Sequence, residues 1–361
     1  MTQKFRDNFS GKTVLLTGHT GFKGSWLALW LNELGAKVVG YSTDPPTTPN
    51  LFDQVSLGDR LAADIRGDVR DLSHLQQVVA EHRPDIIFHL AAQPIVLTSY
   101  QAPQETFASN AMGTVNVLEA VRLVVADKPR AVVCITTDKV YDNREWVWGY
   151  REQDRLGGYD PYSASKSMAE LAISSYRQSF FHVDRYEEHL TAVASARAGN
   201  VIGGGDWADY RLVPDCIRAF VAGEPVHVRN PSFVRPWQHV LEPLSGYLSL
   251  AAHLLGEEGL RYAEAWNFGP RELRPMTAGE LVQTSIDLWG SGTMTTGTQQ
   301  REKETTYLKL NWEKAAVRLG WQPRWSGEEA LAQTIAWYRA HYEETADLYE
   351  VCRQQIRQFS D

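Results

Sequence analysis

The first apolar run, Val14-Leu15-Leu16, lies within residues 12–18 and closes on Thr17-Gly18. A run this short, ended by glycine, predicts a strand buried on both faces. Beyond it Trp26, Leu27, Trp30, Leu31 and Leu34 recur at helical spacing until Gly35, which ends the helix as its C-cap. Residues 36–41 read as the second strand, and Pro45, Pro46 and Pro49 then force a loop. A third strand is expected just before Asp68, with further strands at 85–90, 131–136 and 191–197. Helices at 72–82, 113–125 and from Tyr162 to about Phe180 fall between or beside them. Strand and helix alternating over short connections predicts a doubly wound α/β fold, a parallel sheet with helices on both faces. Past residue 200 the texture changes: Gly203-Gly204-Gly205, scattered Trp and Pro, and shorter helical segments at 212–222 and 276–289. Residues 1–199 are therefore read as the sheet domain. Residues 200–361 are read as a smaller lobe that closes over a cleft, with 236–268 partly returning to the first domain.

A chain of 361 residues is long enough for such a division and for a buried cleft. Its net charge of −8 argues against nucleic acid or an anionic membrane as the main partner. An anionic ligand must then be held by helix N-termini and single arginines. The three cysteines, Cys134, Cys216 and Cys352, are widely spaced and form no CxxC pair, so neither a metal centre nor a disulfide framework is expected. Residues 1–7 contain no apolar signal region, and no apolar stretch nears the ~20 residues of a membrane span. A cytoplasmic location is the expectation.

Gly18-His19-Thr20-Gly21-Phe22-Lys23-Gly24 places glycines between the first strand and the first helix. There they let backbone N–H groups and the helix dipole approach a pyrophosphate; a plain strand-to-helix turn is the alternative. Gly18, His19, Gly21, Phe22 and Gly24 are the candidate contacts. His19 fills a slot where a small residue would give a diphosphate more room, so weak cofactor binding is expected. The acidic partner of an adenosine ribose belongs at the end of the second strand, where Ser42 stands with Asp44 two residues on. No arginine is near in sequence, which favours NAD over NADP. Asp68 and Val69 would bracket adenine, or Asp68-Val69-Arg70-Asp71 would cap a helix. Leu90, Ala91, Ala92 and Gln93 follow the fourth strand, at the end of the sheet where such folds bind ligands.

Tyr162 and Lys166 are four residues apart in Tyr162-Ser163-Ala164-Ser165-Lys166 and share a helix face. The ammonium beside the phenol is expected to favour the phenolate, making Tyr162 a base near neutrality. Such a base suits taking a proton from a sugar hydroxyl while a hydride leaves the same carbon. For the anionic part of a substrate the candidates are Asn200, Arg211 and Arg235, arginine offering a planar fork to phosphate oxygens. Gln93 and Ser99 are placed at the sugar or pyrophosphate. Trp237 and His239 either line the cleft or pack in the core, the core being favoured.

With GHTGFKG at 18–24, HLAAQ at 89–93, NAMGTVNVLEA at 110–120, TTDKVY at 136–141 and YSASK at 162–166, the chain resembles the extended short-chain dehydrogenase/reductase family. These are NAD-dependent epimerases and dehydratases built on a Rossmann sheet. Asp44-Pro45-Pro46-Thr47 and the strings at 146–152, 203–207 and 235–243 look most like the branch that dehydrates CDP-glucose at C4 to C6. The resemblance implies a cycle in which Tyr162 takes the 4-OH proton as the C4 hydride moves to NAD. Asp138 then protonates the leaving 6-OH, and the hydride returns to C6. It further implies that Thr137 bonds the 4-oxygen and that Asn110 braces the helix carrying Tyr162. Lys139 stands where related dehydratases have a glutamate base for C5. It serves as that base, stabilises the enolate, or pairs with Asp138 or Glu152. A homodimer and a part in deoxysugar supply for a surface polysaccharide are also implied. A 4-epimerase or decarboxylase, and a dinucleotide-sensing protein without catalysis, are the competing readings.

Overall fold

The computed structural model describes residues 3–272, 274, 276–297, 307–344 and 346–361. Its frame is a seven-stranded sheet of β1 (Thr13–Thr17), β2 (Lys37–Ser42), β3 (Ala63–Arg66), β4 (Ile86–His89), β5 (Arg130–Ile135), β6 (Thr191–Arg197) and β7 (Ala265–Asn267). The order is β7-β6-β5-β4-β1-β2-β3, and every pair is parallel. In β1, Leu15 is level with Val39 and Ile87. Because strand side chains alternate, Val14, Leu16, Ile86, Phe88 and Val133 enter one apolar core and Leu15, Val39, Ile87 and Val132 the other. A sheet covered on both faces needs apolar residues at every position of its central strands, which is why β5 is buried throughout.

The connecting helices include α1 (Phe22–Glu33), α2 (Leu72–His82), α3 (Gly113–Leu123) and α4 (Pro161–Ser179). The expected helix at 113–125 stops two residues early. Val124 turns extended, and Val125 is an exposed apolar residue. α4 begins at Asp160, whose carboxylate accepts from the Ser163 N–H (2.9 Å), with Pro161 in its first turn.

Beyond β6 come α5 (Leu212–Ala222), α6 (Leu241–Leu254), α7 (Ala278–Trp289), α8 (Gly327–Tyr342) and α9 (Leu348–Ser360). Thr277 and Glu280 form a capping box at the start of α7. α6 is buried along most of its length, and β7 pairs with β6 in the main sheet. α9 docks back on α1, with Arg353 on Glu33 (2.5 Å) and the Trp30 and Phe359 rings edge to face at 5.7 Å. Among the described residues no helix is long and apolar enough to cross a membrane, and no cluster suits a metal ion. All three cysteines are buried free thiols.

Candidate active site

A cavity of about 980 Å³ opens beyond the carboxyl ends of the central strands, between the sheet and the C-terminal lobe. The glycine turn forms its floor. Gly18 is left-handed (φ +77°), and a Cβ there would lie 2.7 Å from the Ala91 nitrogen. A Cβ on Gly24 would lie 2.0 Å from the Gly18 carbonyl oxygen. The turn is thus folded too tightly on itself for any side chain at these two positions. α1 starts at Gly21 without a side-chain cap, so its first N–H groups are left for a ligand. Thr20, Gly21 and Phe22 line the cavity there. Uncapped N–H groups at a helix start beside open space fit a pyrophosphate.

His19 does not crowd that place. Its ring is fully buried and turned under β2, where Nε2 donates to Asp64 Oδ1 at 2.8 Å. The space comes from Gly40, whose added Cβ would lie 2.5 Å from the ring. The expected steric weakening of cofactor binding therefore has no basis in the side chain's position. Ser42 and Asp44 both line the cavity, and Ser42 shares a 2.8 Å hydrogen bond with Thr20. The absence of a nearby arginine holds in sequence but not in space. β3 pairs with β2 so that Arg66 is level with Ser42, and its guanidinium lies 3.5 Å from Asp44 and 3.1 Å from Asp64. Two carboxylates answer its charge. Asp68, Val69, Leu90, Ala91 and Ala92 also line the cavity. The cap of α2 is Asp71, which accepts from His74 N at 3.0 Å. Asp68 instead grips Arg70 at 2.5 Å.

At the end of β5 the chain enters a single tight turn, Asp138–Val140. Thr137 donates from Oγ1 to Asp138 Oδ1 (3.0 Å), while Asp138 Oδ2 is buried without a hydrogen-bond partner among the described residues. Gly199 packs so closely on this carboxyl that any Cβ would overlap it. Burial raises the Asp138 pKa above the ordinary carboxylate value, against the opposing charge of Lys139 and the Thr137 hydrogen bond. A carboxyl shifted toward its protonated form beside a cavity is suited to donate a proton. Lys139, next in the turn, lines the same cavity.

Tyr162 and Lys166 come together here, but not as the i,i+4 spacing suggested. Burial dominates at Tyr162 and pushes its phenol up to about 12, with a Thr137 hydrogen bond and the Arg211 charge pulling the other way. The Lys166 ammonium donates to the Ile135 carbonyl at 3.2 Å, because α4 lies across the end of β5. Burial lowers it to about 8. A phenolate near neutrality thus requires more positive charge than these side chains supply. Asn110 sits in a π-helical stretch, Ala108–Met112, and its Nδ2 donates to Ser165 Oγ (2.9 Å). It braces α4 one residue from Lys166, as expected.

Asn200, Arg211, Arg235 and Gln93 all line the cavity. Arg211 is held by Asp206 at 2.7 Å, and Arg235 donates to the Val234 carbonyl at 3.1 Å. Gln93 spends both ends of its amide internally, donating to Thr106 (2.9 Å) and accepting from Ile95 N (2.5 Å), so it shapes the loop. Ser99 is misplaced as a substrate contact. It is fully buried, donates to the Val96 carbonyl at 2.6 Å and lies outside the lining, whereas Thr98 and Tyr100 line it. Trp237 lines the cavity and His239 is core, against Trp26 and Trp325.

Two features escaped the sequence reading. Lys23 and Asp206 face the cavity, the first hidden inside a motif read for its glycines. Beneath the site Glu170 accepts from Thr136 (2.5 Å) and Ser195 (2.9 Å) and pairs with Arg197 (2.7 Å), tying β5, β6 and α4 together. An acid at i+4 from Lys166 was the available signal.

Residues 15–334 match the family model described as GDP-mannose 4,6 dehydratase. The chain is 52% identical over 333 residues to the CDP-glucose 4,6-dehydratase of Salmonella typhimurium, covering 92% of each chain. Among solved structures it is similar to the dTDP-glucose 4,6-dehydratase DesIV of Streptomyces venezuelae, with a TM-score of 0.78 at 23% identity and 93% and 99% of the two chains covered. It also resembles MoeE5 in complex with UDP-glucuronic acid and NAD, with a TM-score of 0.74 at 26% identity, covering 91% and 99%.

Proposed function

The chain belongs to the GDP-mannose 4,6 dehydratase family, within the extended short-chain dehydrogenases, and from that premise we propose that it converts CDP-glucose to CDP-4-keto-6-deoxyglucose and water. The enzyme is an NAD-dependent nucleotide-sugar dehydratase. The cytidine preference rests on the 52% identical relative.

The uncapped start of α1 would hold the NAD pyrophosphate, with Ser42 and Asp44 at the ribose, Asp68 and Val69 at adenine, and Leu90 to Ala92 along the strand end. When bound, NAD supplies a positively charged ring that accepts a hydride from C4 and returns it to C6. The chain's own residues move the protons. Tyr162 takes the 4-OH proton, its phenolate favoured by Arg211 and by the positive charge that NAD would add, while Thr137 hydrogen-bonds the same oxygen. Asp138, shifted by burial toward its protonated form, gives its proton to the departing 6-OH. Lys139, which lines the same cavity, would act at C5, where the ketone makes the hydrogen acidic. Arg211 and Arg235 take the diphosphate.

The observation that carries a dehydratase over a 4-epimerase is Asp138, a buried carboxyl with raised pKa and an unpartnered oxygen next to Thr137. An epimerase has no leaving 6-OH to protonate. Incubation with CDP-glucose and NAD should yield the alkali-revealed absorbance of a 4-keto sugar and move deuterium from C4 to C6. A C4-inverted sugar with no ketone, or free NADH in stoichiometric yield, would reject the cycle.

A further inference from the structure

Lys23 is the one charged side chain in the glycine turn, and it faces the cavity. It stands in the first turn of α1, beside the uncapped N–H groups. Among the described residues its ammonium makes no hydrogen bond or ion pair. The charges facing it come from three other elements: Arg211 and Asp206 at and before the start of α5, Asp138 after β5, and Lys166 on α4. Neither acid forms an ion pair with it among the described residues. Asp206 is held by Arg211 at 2.7 Å, and burial keeps Asp138 toward its neutral form. Burial first, and the Arg211 charge second, lower Lys23 to about 7.

A lysine with no anion of its own, set between uncapped N–H groups and an arginine, is arranged for an anion from outside the chain. We propose that Lys23 is a ligand of a diphosphate bound in the cleft, joining the cofactor turn to the Arg211 side of the lobe. The inference rests on the reading that the cleft takes NAD and a nucleoside diphosphate sugar, each of which carries that chemistry. Binding next to such a lysine favours its charged form. Above neutral pH the complex must therefore take up a proton that the free protein lacks.

Calorimetry of NAD and of CDP-glucose, each alone with the full chain at about pH 8 in buffers of different ionisation enthalpy, tests this. Wild type should take up a proton with one of the two ligands. Lys23→Arg should bind that ligand as tightly without the uptake, since arginine is already charged. Lys23→Met should lose about tenfold or more in affinity, the size of one hydrogen bond between charged groups. The ligand that weakens identifies the diphosphate involved. Binding of both ligands within about twofold of wild type in Lys23→Met, or proton uptake undiminished in Lys23→Arg, overturns the inference and leaves the dehydratase reading standing. No binding of either ligand to wild type overturns both.

Discussion

Asp138→Asn preserves the shape of the side chain beside Gly199 and its hydrogen bond with Thr137, and removes the proton that the leaving 6-OH needs. General acids contribute about 10²–10⁴-fold, or roughly 3–5 kcal/mol at ~1.4 kcal/mol per decade, so kcat for dehydration should fall by that factor. Oxidation at C4 depends on Tyr162 and should survive. Rapid mixing with CDP-glucose should then show reduced nicotinamide forming while mass spectrometry shows little loss of water. Stability separates this from damage to the fold. The folded-state pKa of Asp138 is raised by burial, so its contribution to stability is fully present below the ordinary carboxylate pKa and is lost as pH rises through the raised value. An asparagine has no charge to bury. The variant should melt no lower than wild type at neutral pH, and its rate should lack the alkaline fall that deprotonation of Asp138 imposes on wild type. Dehydration within about threefold of wild type, or C4 oxidation reduced as far as dehydration, would refute the assignment.

Lys139→Met should abolish solvent deuterium incorporation at C5 if Lys139 removes that proton, and undiminished exchange sinks the role. Glu242 is fully buried, accepts from the Arg324 and Trp325 N–H groups, and is raised by burial to about 7. Its contribution to stability is present below about pH 4.5 and lost as pH rises through about 7, so Glu242→Gln should raise Tm more at pH 8 than at pH 5 in a thermal melt. The exposed Met112 and Leu123 on or beside α3, and Met168, Leu171 and Phe180 on or beside α4, support a paired-helix homodimer. Light scattering should return twice the chain mass, and a monomeric mass would dispose of it.

What was legible in the sequence, and what was not, divides by the range of the interaction. β5 and β6 were plain because both faces of a central strand are covered, which leaves the apolar run 131–135 and the run 192–196, broken only by Ser195. β7 has three residues, too few for a period, and joins the sheet only through β6. Asp138 could be read because an acid three residues past a buried strand emerges at the sheet's carboxyl end. His19 could not be read. Its motif fixes where its backbone runs, but the ring leaves the cavity because Gly40, one strand away, has no side chain. Arg66 reaches Asp44 by the register of β3 on β2, again a cross-strand fact. Tyr162 and Lys166 show the same limit within a helix. Spacing of four puts them on one face, yet the Ile135 carbonyl at the end of another element takes the ammonium, and burial of the phenol outweighs what remains. The glycine turn follows the same logic. Gly18 and Gly24 are demanded by contacts with Ala91 and with the turn itself, and would be needed whether or not a cofactor bound. Lys23 meets no such packing demand, and its placement against Arg211 is explained by a bound anion and not by the fold.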